Sequence, residues 1–285
     1  MKLISVVKKI DDIDRLSFVD MLIFPTIYSI YYDKAFNIDE IKEAIEKCNK
    51  LSIIPIISID GLIEEDSLEN VYSYLDVISD MQSAFMSAMI MFSDMAVMAY
   101  YKKINKLDRL IYNAPTYICN KEDIMYYQKM GILVMSSLEL SLYDVEINAK
   151  FGNLILQVYG YFPIYYSKRK VLSLYKEYAN LDYNPYIEKE IKEELREEKY
   201  KIREYSSIPH SVILSANKIC IFEELENIKP NYIYVNTDNI EVLKLYKDGM
   251  DKGFKEENAL ALKEIDGRID KSLLYVRPAI LKEDE

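Results

Sequence analysis

A rhythm of short apolar runs, separated by segments of helical pattern, constrains this chain more than any other feature. Eight such runs stand out: Lys2–Val7, Met21–Phe24, Ile53–Ile57, Ala88–Phe92, Arg109–Asn113, Ile132–Ser136, Leu154–Tyr159 and Tyr232–Val235. Most lack polar alternation, as strands buried on both faces of a parallel sheet do. Between them, Asn37-Ile38-Asp39-Glu40 reads as an N-cap with an acidic residue three on, opening a helix through Lys50. Residues 64–78, 94–104, 121–130 and 139–149 repeat the pattern, with Asp94, Asn120 and Asn239 as caps and Gly131 and Gly249 as stops. Strand, helix, strand at this spacing predicts βαβ units, and eight of them predict a closed (β/α)8, TIM-barrel-like α/β fold.

The rhythm breaks once. Residues 165–230 are too many for one crossover, so residues 1–285 are expected to form a single barrel domain carrying that insertion. Within it, Tyr186–Arg203 is strongly charged and places Glu188 and Lys192 at i,i+4 spacing, which predicts a solvated helix. A short strand at Ser211–Leu214 and a helix from about Asn217 to Ile228 are expected after it.

Several functional classes drop out on composition. The segment Met1–Val7 has no long apolar core and reads as a first strand rather than a signal peptide. The longest apolar stretch, Ala84–Tyr101, is interrupted by Asp94, so no membrane span is expected. Three distant cysteines without a Cys-x-x-Cys pair fit a reducing cytoplasm. A net charge of −11 works against non-specific nucleic-acid binding, so an RNA role needs a local basic patch. The lone histidine, His210, excludes a His-Glu-x-x-His zinc site and a two-histidine iron site. A histidine-activated Ser or Cys nucleophile would have to use it, yet Ile208-Pro209-His210-Ser211 reads as a turn before a strand. One histidine and three scattered cysteines also predict no bound zinc or iron–sulfur cluster.

The exit of the seventh run carries the most chemistry. It reads Val158-Tyr159-Gly160-Tyr161-Phe162-Pro163-Ile164-Tyr165-Tyr166-Ser167-Lys168-Arg169-Lys170. Strand C-termini face the active site in an α/β barrel, so this end would present a basic, aromatic, hydroxyl-bearing loop. Cations interleaved with tyrosines suit an anionic planar ligand or unstacked bases, and a merely solubilising loop fits the spacing equally well. Asp94, Asn113, Thr116, Glu139, Ser215 and Asn217 follow other strands, where they can bind a polar ligand or cap helices.

The order of these segments resembles the collagenase-like U32 peptidase family, most closely its short form associated with 5-hydroxylation of tRNA uridine. The stretches are Phe92-Ser93-Asp94-Met95-Ala96-Val97, Tyr112-Asn113-Ala114-Pro115-Thr116 with Asn120, Leu138-Glu139-Leu140, the loop from Val158 to Arg169, Ile213–Cys220 before Glu223-Glu224-Leu225, and Arg268–Ser272. The resemblance implies a barrel and either peptidase activity or oxygen-independent hydroxylation. It implies tRNA and a second U32-like subunit as partners, with prephenate as an associated small molecule. The chain departs from the pattern: Tyr159 stands for the family's histidine, Leu138 for an arginine and Ser93 for a glycine, Val235-Asn236-Thr237 lacks the usual charges, and the cluster-binding cysteines are missing. A diverged enzyme, a partner subunit, a collagenase-like peptidase and a degenerate binding barrel all remain open. The expected site has Glu139, Tyr159 and Ser167 as catalytic residues, Asn113, Thr116, Tyr165, Lys168, Arg169 and Ser215 as substrate-binding residues, and no metal ligand.

Overall fold

The computed structural model describes residues 1–84, 88–114, 117–192, 194–195, 197–206, 210–266 and 269–270. The expected positions Thr116, Arg268, Lys271 and Ser272 lie outside the described residues.

Seven parallel strands run first: β1 (Lys2–Val6), β2 (Met21–Pro25), β3 (Ile54–Ile59), β4 (Met89–Phe92), β5 (Leu110–Tyr112), β6 (Leu133–Met135) and β7 (Leu154–Gly160). Helices α1 (Ile38–Lys50), α2 (Leu68–Ala84), α3 (Met95–Lys103), α4 (Lys121–Gln128) and α5 (Leu142–Asn148) connect β2 through β7. Next come β8 (Pro163–Ser167), α6 (Val171–Tyr178), β9 (Lys189–Lys192), β10 (Lys199–Tyr205), β11 (His210–Leu214), β12 (Lys218–Cys220) and α7 (Leu225–Ile228). The chain then forms β13 (Tyr232–Val235), α8 (Ile240–Lys252), α9 (Glu256–Asp266) and β14 (Ile269–Asp270). Strand β13 pairs in parallel with both β1 and β7, which closes an eight-stranded barrel from the eight predicted runs.

Closure explains why the runs are apolar throughout. Ile4, Met21, Ile23, Ile56, Met91, Ile111, Met135, Ile155 and Tyr234 fill the lumen. Their neighbours Leu3, Leu22, Phe24, Ile57, Ile90, Leu110, Val134, Leu156 and Ile233 pack outward against the helices. Both faces are dry, so period-two polarity has no place to appear. The helix starts follow the expected chemistry. Asn37 Oδ1 accepts from the Asp39 and Glu40 amides at 3.0 Å, and Glu40 returns a contact to the Asn37 amide at 2.8 Å. Asp94, Asn120 and Asn239 cap α3, α4 and α8. Gly131 follows α4 at φ +75°, as a stop should. Gly249 does not stop α8, contrary to expectation. It lies inside the helix, where the Phe254 and Phe222 rings occupy the space of a side chain, and Gly253 at φ +94° ends it.

The insertion departs further from expectation. Its charged segment is not a helix: β8, β11, β10 and β9 form a four-stranded antiparallel sheet in that order. Glu188 reaches across to Arg203 at 2.6 Å and Lys201 at 3.4 Å instead of along a helix to Lys192. The deciding signal is alternation in β10, where Ile202 and Glu204 are buried and their neighbours are not. Glu204 earns its burial by accepting from the Ser173 amide and hydroxyl in the first turn of α6. The helix expected over Asn217–Ile228 is also replaced. Strand β12 pairs antiparallel with the end of β7, and only the short α7 remains helical.

Gly160 ends β7 at φ +108°, and a Cβ there would lie 2.5 Å from the Asn236 carbonyl oxygen. Gly160→Ala is therefore expected to destabilise the protein by about 2–3 kcal/mol, read as a lowered denaturant midpoint at unchanged slope.

Candidate functional site at the barrel mouth

The C-terminal ends of the strands converge under the insertion sheet, which rests on the segment after β2. Ile30, Val212 and Leu214 form a small core there with Tyr31, Tyr161, Tyr166 and Tyr205 around them. Arg203 Nη1 pins this contact by donating to the Tyr31 carbonyl at 3.0 Å. The space beneath divides in two, with Tyr31 and Pro163 lining both halves.

The first cavity, about 390 Å³, opens over the lumen. Val6, Tyr32, Met135, Gln157 and Tyr234 line it, and Lys8, Lys201, Arg203 and Lys218 bring four cations to it. Lys8 lies 3.0 Å from Asp33 and 3.6 Å from Asp238. Burial, and then the positive charge of Lys201, pull the Lys218 ammonium below its ordinary pKa. The second cavity, about 690 Å³, lies over β3 to β6 and is aromatic and acidic, with Tyr112, Tyr117, Tyr165 and Tyr166 around Asp60, Asp94 and Glu139.

Asp60 ties the two together. Its fully buried carboxylate accepts from the Ile30 amide at 3.0 Å and from Asn113 Nδ2 at 3.1 Å. Asn113 lines the first cavity and Asp60 the second. Burial pushes the Asp60 carboxyl up to about 7, against hydrogen bonds that pull it down. Asp94, by contrast, is occupied with the amides of Ala96 and Ile63, both at 2.9 Å.

The expected site residues scatter over this geometry. Glu139 and Tyr165 share the second cavity, and Asn113 lines the first. Tyr159 lines neither. It is fully buried 6.1 Å from the Tyr246 ring, with Lys218 Nζ 3.5 Å from its hydroxyl. A bulge causes this: β13 steps from Gln157 to Tyr159, so Val158 and Tyr159 both pack outward. Ser167 accepts from the Arg169 amide at 3.1 Å, and the Ser211 hydroxyl donates to the Arg169 carbonyl at 2.8 Å. The Arg169 side chain is exposed, and Lys168 pairs with Glu64 at 3.7 Å on the surface. Ser215 holds a turn through the Phe162 amide and the Asn217 carbonyl. The strand-end rule could have found Lys8 and Asp60, which lie two residues after β1 and one after β3. Lys201 and Arg203 could not be found while their segment was read as a helix.

His210 is buried at the start of β11, 5.3 Å from the Tyr166 ring, and lines neither cavity. Cys48 is a buried residue of α1 with its thiol pushed up to about 12 by burial, while Cys119 precedes α4 and Cys220 lies on β12. An iron–sulfur cluster does not fit these thiols, and among the described residues no three His, Cys, Asp or Glu side chains gather to hold a metal. Among the described residues no helix is long and apolar enough to cross a membrane.

The raised Asp60 pKa means the folded state binds a proton that the unfolded chain releases between 3.8 and about 7. Its contribution to stability is present at the acidic end and lost as pH rises through that window. Asp60→Asn is therefore expected to gain stability relative to the parent as pH rises from 3.8 to about 7, seen in paired thermal melts. A Tm difference that does not change with pH would rule out this assignment.

The model of peptidase family U32 matches residues 30–259. A comparison with curated proteins found no match. Among solved structures, the U32 peptidase Mk0906 is similar at 9% identity and a TM-score of 0.47, over 84% of this chain and 93% of that one. The Thermobaculum terrenum O-GlcNAc hydrolase mutant D120N is similar at 14% identity and 0.45, over 93% of this chain and 63% of that one. The Bacillus cereus spore cortex-lytic enzyme SleL gives 8% and 0.44, over 89% and 74%. These similarities are too distant to carry an argument about chemistry. The family match is of another kind: it runs from the loop after β2 through the insertion and into α9, and this chain belongs to peptidase family U32.

Proposed function

We propose that this protein acts in the 5-hydroxylation of tRNA uridine, as a diverged enzyme or as the partner subunit of one. The observation that carries the reading is a charge contrast. The chain as a whole is at −11, yet at one cavity of the barrel mouth Lys8, Lys201, Arg203 and Lys218 outnumber the acids Asp33, Glu188 and Asp238 that line it with them. A local cationic patch is what an acidic protein needs to take up a polyanion. Tyr31 and Tyr161 line the same cavity and offer rings on which a base can stack.

The family's peptidase label is the second reading. It is less well supported because neither cavity is lined by the histidine or by a cysteine. Ser93 and Ser136 lie at the cavity walls, but Ser93 donates to the Asn113 carbonyl and Ser136 to the Ser137 carbonyl at 3.3 Å. A hydroxyl so engaged, with no imidazole beside it, is a poor acyl-transfer nucleophile.

Nucleoside mass spectrometry of tRNA from a deletion strain tests the first reading. Loss of hydroxylated uridine is expected, and an unchanged nucleoside profile would refute it. In the purified protein, Lys201→Ala should weaken tRNA binding by about three- to tenfold and flatten its salt dependence. Cleavage of a gelatin or collagen peptide by the purified chain, lost on a cavity substitution, would favour the peptidase.

A further inference from the structure

The second cavity differs from the first in the sign of its charge. Asp60, Asp94 and Glu139 line it, and among the described residues no Lys or Arg does. The acids of the first cavity, Asp33, Glu188 and Asp238, each pair with a lysine or arginine, and among the described residues those of the second do not. Asp94 takes one amide N–H on each carboxylate oxygen, from Ala96 and Ile63, which leaves lone pairs on both. Glu139 is exposed, and Asp60 sits behind the lining without contact with water. A cleft walled by one sign of charge concentrates ions of the other.

The rest of the lining selects the kind of cation. Tyr112, Tyr117, Tyr165 and Tyr166 surround the space, with Leu62 and Met95 beside them. Aromatic faces attract an ammonium group and cover an apolar stem, whereas a hydrated metal ion gains little from them. Nor do the acids converge: among the described residues no three His, Cys, Asp or Glu side chains gather to hold a metal. They are spread around the space instead. Asp94 follows β4 and Glu139 follows β6, with β5 between, and two strand spacings put those strand ends roughly 10 Å apart. Two separated positive charges on an apolar stem answer that arrangement.

We propose that the second cavity binds a linear aliphatic diamine, with one ammonium group on Asp94, the other on Glu139 and the methylene stem against the tyrosine rings between them. The site is separate from the cationic cavity on which the RNA reading rests, so the two stand or fall apart. Asp60 makes the binding depend on pH, acting through its field rather than by touch. Tyr31, Tyr32, Tyr166, Tyr205 and Tyr234 lie near enough to feel its charge, and burial holds each phenol above its ordinary value, so none is charged near neutrality. Arg203, next to Tyr205, is paired with Glu188, and His210 lies 5.3 Å from the Tyr166 ring. Asp60 therefore gains its charge as pH rises through about 7 and then adds to the attraction for a cation.

Calorimetric titration of the full chain with cadaverine, pentylamine and pentanol at fixed ionic strength tests it. The three share one stem and differ in charge. Cadaverine should bind about tenfold more tightly than pentylamine, and pentanol should give no measurable heat. Glu139→Gln, a change at an exposed side chain, should bring cadaverine down to the affinity of pentylamine. Tyr165→Ala should weaken both amines about threefold. Between about pH 6 and 7.5 cadaverine stays doubly protonated, and its affinity should rise about threefold in the parent and stay level in Asp60→Asn. Equal affinity for cadaverine and pentylamine would overturn the proposal. So would full cadaverine affinity in Glu139→Gln, or displacement of cadaverine by an equal concentration of magnesium, either of which assigns the binding to the acidic surface at large. Tighter binding of a blocked lysine amide than of cadaverine would overturn it too, giving the cavity to a basic side chain of a peptide. A cadaverine affinity level with pH in the parent would overturn the part given to Asp60.

Discussion

The backbone hydrogen bonds of Tyr232–Val235 to strands on both sides hold this structure together. They turn an open sheet into a ring, and the ring separates a dry lumen from a dry helix layer. They also bring Lys8, at the end of the first strand, beside Asp238 at the end of the last barrel strand. The cationic cavity is a consequence of closure. Its four cations come from the first strand end and the insertion, which are far apart along the chain.

The insertion completes the mouth by covering it. Its sheet buries Val212 and Leu214 on the segment after β2, and Arg203 locks that contact at the Tyr31 carbonyl. Tyr31 itself sits at φ +76°, a conformation uncommon for a bulky side chain. It lines both cavities, so backbone strain falls where the site is divided. The bulge at Val158 acts in the other direction. By turning Tyr159 outward against Tyr246, it removes that side chain from the lumen.

Asp60 shows how a buried carboxyl can serve both halves of a site. Neutral donors hold it, so its charge is supported by hydrogen bonds, among them those from Ile30 and Asn113, and by no cation. Ionisation near neutrality follows from that balance. The Asn113 amide joins this carboxyl, at the wall of one cavity, to the wall of the other.

Much of the barrel was legible in the sequence because local rules govern it. All eight strands fall on the apolar runs, and Asn37, Asp94, Asn120 and Asn239 cap helices by contacts within three residues. Of the expected site residues, Asn113, Glu139 and Tyr165 line the two cavities at the barrel mouth. The charged segment Tyr186–Arg203 was misread because i,i+4 charge spacing also occurs by chance in a strand, and its partners, Ser173 and β11, are distant in sequence. The outward turn of Tyr159 depends on one extra residue against β13, which no local pattern records. The sequence by itself determined the eight barrel strands, the caps and the closed barrel, since each follows from periodicity or from neighbours a few residues away. Only the tertiary structure decided which side chains face the mouth, because strand register and the seating of the insertion are set by contacts between segments far apart in the chain.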